Sequence, residues 1–463
     1  MKPTKHVRSV ALVAGVLAVI AAVALPVSAG AAKAHTQKIT LTVAYSQSYA
    51  YFTPQLSKAT WDSIIKQFET QHPNVVVKEV PMPGVMTDIV TKISLLLRDP
   101  STAPDVLELP TPNVGLWQSS GYLLNLSPYL KNSAWFKTFP KDIANEAAVN
   151  GQIYAVNHGE NDNAIWYNMK ILKKAGISVP WHPKTWADLI TAAKAVKAKV
   201  PGVAPLFLIG GNTTGAAGLE TSPLNFLIGS DTPYFQSPKN GKWIVDSPGL
   251  REVFKFYHDV SAGGLNAPNS QTLSAAATGI PSVQIPKGTE AIVPFGNYNG
   301  GQWNKVVRLP YWPQASKIEA VTPIPTIHGQ GSDIASVADG WDVGIYSKTK
   351  HAKLAWELVN LSEQPANEAL IANNGGYVPP DPAVGNNPTY LNWAPPYQKI
   401  FANILPHSTV TLTTADFTKW TVGFGDATAL LLQNPKATVQ DAINMMKQTD
   451  TALLGSTKVT TIP

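Results

Sequence analysis

The chain has 463 residues, enough by length for two to four domains, and 44 % of them are hydrophobic, enough for large cores. It contains no cysteine, which excludes disulfides, thiol chemistry and Cys-based metal sites. The formal charge of +6 comes without any Lys/Arg run, so nucleic acid is not an expected partner. Charged residues make up only 14 %, against a typical ~25 %. A surface built on Thr, Asn and Ser reads as a composition bias of the lineage, and it would also suit an acidic exterior.

In chain order, Lys2, Lys5 and Arg8 precede an Ala/Val/Leu-rich run from Val10 to Val27, and Val27-Ser28-Ala29 offers a small-residue cleavage site. That layout predicts an export signal over residues 1–29. The competing reading is an uncleaved anchor, because the run approaches the ~18 residues that can span a bilayer. Losing the leader removes three positive charges and no acid, which leaves +3.

Ile39, Leu41, Val43 and Tyr45 alternate with Thr and Ala, the pattern of a strand. Trp61, Ile64, Ile65 and Phe68 mark one face of a helix with Thr60 as N-cap, ended by His72-Pro73. Val75-Val76-Val77 is a second strand, a helix from Val85 to Leu97 stops before Pro100, and Asp105 to Leu109 is a third strand. This β-α-β-α-β order predicts a parallel sheet covered by helices. Ile153 to Val156 is a further strand. Helices open at the capping box Thr185-Trp-Ala-Asp188, at Ser247-Pro248, near Ala352 and at Thr438-Val-Gln-Asp441. No linker separates these units, which fits two lobes sharing several crossings.

Several of these segments carry a family resemblance. Trp61-Asp-Ser-Ile-Ile-Lys-Gln-Phe-Glu-Thr-Gln-His-Pro-Asn74, Thr102-Ala-Pro-Asp-Val-Leu107 and Gly121-Tyr-Leu-Leu-Asn-Leu126 come first. Asn150-Gly-Gln-Ile-Tyr-Ala-Val156, Trp166-Tyr-Asn-Met169, Lys174-Ala-Gly-Ile177 and Thr185-Trp-Ala-Asp-Leu189 follow, then Gly288-Thr-Glu-Ala-Ile292, Val321-Thr-Pro-Ile-Pro325 and Ala352 to Leu361. In their order and spacing they resemble the extracellular solute-binding proteins of carbohydrate ABC transporters, the class that includes maltose-binding proteins. The resemblance implies an α/β, two-lobed periplasmic-binding-protein-like fold, each lobe a mainly parallel sheet flanked by helices. Residues 37–156 plus 326–374 would form the N-terminal lobe, and 157–325 plus 375–463 the C-terminal lobe, with hinge crossings near Val156, Pro323 to Pro325 and Gly375-Gly376. It also implies an exported, monomeric, non-enzymatic receptor without cofactor or metal, which captures a carbohydrate and delivers it to a membrane permease. Three features depart from the pattern. No Cys accepts a lipid tether, Asn157 stands where the family has Pro, and His158-Gly-Glu-Asn-Asp162 is unusually polar.

A sugar offers hydroxyls for hydrogen bonds and flat C–H faces for aromatic rings. In parallel sheets ligands sit beyond the carboxyl ends of strands. The candidates are therefore Ser46, Ser48, Tyr49 and Tyr51 after the first strand, and Thr111 and Asn113 after the third. His158, Glu160, Asn161 and Asp162 follow the crossing strand, and Asn297, Tyr298 and Trp303 follow Ala291 to Phe295. The resemblance implies an aromatic platform near Tyr298 and a ring near the turn at Trp341. Tyr377 and Trp420 complete the set, whereas Trp166, Trp186 and Trp356 hold packing positions and are expected in the core. The His158-to-Asp162 cluster lacks metal-ligand spacing, and Gly210-Gly211 and Gly263-Gly264 lack the pattern and Lys of a phosphate loop. The alternatives are a secreted carbohydrate-active enzyme using the acidic loop, or a receptor for a polyamine or iron.

Overall fold

The computed structural model describes residues 38–47, 50–84 and 86–463. The expected leader, Ser48 and Tyr49 lie outside the described residues. The strand Ile39–Ser46 pairs in parallel with Val75–Met82 on one side and with Val106–Pro110 on the other. The helix joining the first two spans Pro54–Gln71, with Thr53 as N-cap accepting from the Leu56 amide and Pro54 at the first helical position. It starts about two turns before the Thr60 cap read from the sequence. Thr60 is instead interior, its hydroxyl donating to the Leu56 carbonyl at 2.9 Å. The apolar spacing marks only the face that packs on the sheet, and the first turns carry exposed Gln55, Lys58 and Ala59.

The first sheet has six strands. Val337–Ile345 lies at its centre, antiparallel to Val106–Pro110 and to Ala155–Asn161, and its first residues pair in parallel with Thr409–Val410. The second sheet runs Glu319–Thr322, Asn163–Asn168, Glu290–Gly296, Ala204–Leu206. Only its Glu290–Gly296/Ala204–Leu206 pair is parallel; the others are antiparallel. Both sheets are thus mixed, because the strands that carry the chain between them run against the helix-connected strands. The first such passage occurs at Asp162, the single residue between Ala155–Asn161 and Asn163–Asn168.

Helices cover both sheets as the capping residues dictate. Thr185 and Asp188 form a reciprocal capping box for Trp186–Lys199, and Thr438 with Asp441 does the same for Val439–Leu454. Ser247 caps Pro248–Ala262, which buries Leu250, Val253, Phe254 and Tyr257 against the second sheet. Trp61, Ile64 and Phe68 pack under the first sheet with Val43, Val106 and Val343. A third apolar cluster joins Trp166, Phe295, Trp303, Tyr397 and Phe401. Full burial of each such side chain is worth roughly 1.5–3 kcal/mol, so these clusters hold the strand ends in place. Among the described residues, no helix is long and apolar enough to cross a membrane.

Candidate ligand-binding cavity

The crossing strands Ala155–Asn161 and Val337–Ile345 approach more closely than side chains allow. A Cβ on Gly340 would lie 2.1 Å from the Gly159 carbonyl oxygen, and one on Gly159 would lie 2.5 Å from the Tyr377 ring. These glycines let the strands close up and let Tyr377 lie across them. Next to Gly340 the register shifts between Trp341 and Asp342, a bulge of the kind that re-aims a side chain. Beside this junction is a cavity of about 320 Å³. Tyr51 and Phe52, past the end of the first strand, line it together with Tyr298, past the end of Glu290–Gly296. Asn161, Asn163, Asp339, Gly340 and Trp341 come from the crossing strands, Glu220 and Thr221 from the short helix Ala216–Thr221, and Gln302, Gly375 and Tyr377 from later segments. Both sheets therefore present carboxyl-terminal strand ends to one space.

The aromatic wall is fixed from behind. The Tyr51 hydroxyl donates to Glu108 Oε1 at 2.6 Å, and the same carboxylate accepts from Trp61 Nε1 at 2.8 Å and from the Ser46 amide at 2.8 Å. His158 lies behind it, with Nδ1 2.7 Å from Glu363 and Nε2 3.4 Å from Glu108. Burial alone would lower the His158 pKa, but the Glu363 and Glu108 carboxylates outweigh it and push the imidazole up to about 10. The Tyr377 hydroxyl donates to the Ala50 carbonyl, which pins a second ring of the wall.

Carboxyl groups surround the crossing. Glu220 and Asp339 face each other in hydrogen-bond contact on the cavity wall. Burial and the Asp339 charge hold Glu220 well above the usual carboxylate range, and burial lifts Asp339 to about 6. Glu146 and Asp342 form a second carboxyl pair, both raised chiefly by burial. Glu160, hydrogen-bonded by Asn157, is pushed up to about 8 by burial, with Asp339, Asp342 and Asp162 adding to the rise.

Of the residues expected at the site, Tyr51, Asn161, Tyr298, Trp341 and Tyr377 line the cavity. The other described ones lie elsewhere. Ser46 is fully buried at its strand end, with its hydroxyl accepting from the Ala50 amide. Thr111 is buried against Asp342, and Asn113 lines a separate groove with Leu116, Lys419 and Leu453. His158 and Glu160 are inward-facing strand residues, because the strand predicted to stop at Val156 continues to Asn161. Asp162 is buried between the sheets. Asn297 ties the Asp162 amide to the Gly376 carbonyl. Trp303 packs edge-on against Trp166 and donates to the Ser282 carbonyl. Trp420 is wholly buried, stacked between Phe417 and Phe424 with Nε1 donating to the Ile244 carbonyl. Both indoles satisfy their one donor inside the core, which explains their placement there.

Phe52, Asn163, Glu220, Thr221, Gln302 and Asp339 were not singled out from the sequence. Asn163 and Asp339 flank residues that were, so the strand-end rule reaches them once the strand boundaries are known. Glu220 follows a Gly-rich connector and carries no comparable signal.

A two-sheet α/β body with a cavity at its strand ends, entered by chain crossings, is the two-lobed binding-protein fold. The profile of the bacterial extracellular solute-binding protein family matches residues 53–369. The chain belongs to that family. The sugar-binding protein MalE from Xanthomonas citri superposes with a TM-score of 0.74 at 19 % identity, covering 89 % of this chain and 97 % of that one. A multiple sugar-binding protein of Streptococcus mutans is 31 % identical over 143 residues, 30 % of this chain and 31 % of its own length. The sn-glycerol-3-phosphate-binding periplasmic protein UgpB of Rhizobium meliloti is 25 % identical over 281 residues, 58 % of this chain and 56 % of its own length. The chain thus spans just under a third and just over half of the length of these two curated relatives.

Proposed function

We propose that this protein is an exported receptor that captures a carbohydrate in the 320 Å³ cavity and hands it to an ABC transporter permease, without chemical turnover. The observation that carries this reading is the lining itself. Aromatic rings from Tyr51, Tyr298, Trp341 and Tyr377 stand beside the neutral polar groups of Asn161, Asn163, Thr221 and Gln302. Rings suit the C–H faces of a sugar and the amides suit its hydroxyls. The sugar-binding MalE and the multiple sugar-binding relative support the same reading.

A phosphate-bearing ligand, such as the one UgpB is named for, is disfavoured. No Lys, Arg or His is among the described residues that line the cavity, and Glu220 and Asp339 repel an anion. Because the lining joins ends of both sheets, ligand contacts favour a closed arrangement of the lobes, with bending at the crossings around Asp162 and Gly376. Gly376 already holds a left-handed φ of 81° at the end of helix Pro365–Gly375. The deciding experiment is a thermal-shift screen of the purified protein across mono- and oligosaccharides, polyamines, ferric iron and sn-glycerol 3-phosphate, with product analysis of each hit. A sugar hit recovered intact supports a receptor. A sugar returned cleaved makes the protein an enzyme, and a hit confined to the non-sugars replaces the ligand class.

A further inference from the structure

Two carboxylates in contact hold a proton between them, because neither has a donor to offer. Glu220 is 2 % exposed, and its Oε1 has no hydrogen-bond donor among the described residues. Its neighbour across the cavity wall is Asp339. Glu160, on the strand paired with that of Asp339, feels the Asp339 charge and those of two further acids, Asp342 and Asp162. The buried cation in this region, His158, is already committed to Glu108 and Glu363. With one proton shared, the pair leaves one negative charge on the wall of an aromatic cavity whose described lining holds no basic side chain.

We propose that the Glu220–Asp339 pair is a cation subsite, and that the ligand is a sugar carrying a basic nitrogen, seated so that its ammonium bridges the two carboxyls. The inference rests on the carbohydrate reading above. An ammonium has three donors, so it supplies the missing partner of Glu220 Oε1 and contacts Asp339 at the same time. A monocation brings the singly protonated pair to zero net charge, whereas a neutral hydroxyl leaves the charge buried. The rings of Trp341, Tyr298 and Tyr377 line the same cavity, and an aromatic face attracts a cation. The preference depends on pH, since burial lifts Asp339 to about 6 and Glu220 higher. At pH 7 Asp339 is ionised and the amine is favoured; at pH 4 both carboxyls are protonated and the advantage is gone.

The test compares glucose and galactose with their 2-amino-2-deoxy and 6-amino-6-deoxy forms and the matching acetamides, by calorimetry at pH 7 and pH 4. The expected result is an amino sugar that binds about tenfold or more tightly than its parent and its acetamide at pH 7, and within about twofold of them at pH 4. Asp339→Asn should abolish the preference of the amino sugar over its parent at pH 7, whatever it does to the affinity of both, and Glu220→Gln, which keeps the Asp339 charge, should retain that preference. Melting curves establish that each variant is folded. Neutral sugars that bind as well as their amines at pH 7 overturn the proposal and leave the receptor reading in place. Polyamines that bind where no sugar does overturn both.

Discussion

Glu290 offers a quantitative test of how burial governs this protein. It opens the strand Glu290–Gly296, is 3 % exposed, and neither carboxyl oxygen has a partner among the described residues. Burial pushes its pKa from 4.5 to about 8, and its charge in turn raises the buried Glu319. The folded state therefore binds this proton more tightly than the unfolded state. Its stabilisation is complete below about pH 4.5 and is lost as pH rises through about 8. The gap corresponds to at most about 5 kcal/mol between the acid and alkaline limits, less where water reaches the group. Glu290→Gln keeps the shape and removes the titration. Calorimetric melting from pH 4 to 9 should show the variant close to wild type at pH 4–5 and more stable at pH 9, by a few kcal/mol. Parallel profiles, or a wild type that gains stability toward pH 9, would refute the reasoning. Glu160 and Asp450, also lifted to about 8, act with the same sign. The stability optimum should accordingly lie on the acid side, in keeping with a composition sparing in charge.

Two further substitutions separate the cavity from the core. Tyr298→Ala should weaken sugar binding by about 1–3 kcal/mol with little change in melting, because the ring is half-buried on the cavity wall; calorimetry showing unchanged affinity would remove it from the site. Trp420→Ala should cost roughly 3–5 kcal/mol of stability and leave the affinity of folded protein unchanged, since the indole lies wholly within the core. An affinity loss without destabilisation would place Trp420 at the ligand after all.

The fold was largely legible because its signals are local. The boxes at Thr185/Asp188 and Thr438/Asp441 and the cap at Ser247 stand where the sequence puts them. What could not be read was the reach of elements whose first or last residues are polar. Helix Pro54–Gln71 begins with exposed Gln55 and Lys58, and strand Ala155–Asn161 continues through His158, Gly159 and Glu160. Those polar strand residues look like a binding loop. In the structure they are buried against protein groups, His158 with Glu363 and Glu108, and Glu160 Oε1 with Asn157. Rings past strand ends were readable as wall residues by position, as with Tyr51 and Tyr298, whereas Trp341 lies inside Val337–Ile345 and not at the turn that the resemblance implied. Glu220 was not, because only the tertiary approach of its helix to Val337–Ile345 brings it to Asp339.

A crystal structure with the sugar found in the screen tests most directly whether a carbohydrate sits in this cavity. The expected density lies between Trp341, Tyr298 and Tyr377, with a polar group of the sugar within hydrogen-bond distance of Glu220 or Asp339. A sugar bound at saturation but located elsewhere, for instance in the groove lined by Asn113, Leu116 and Lys419, would contradict it.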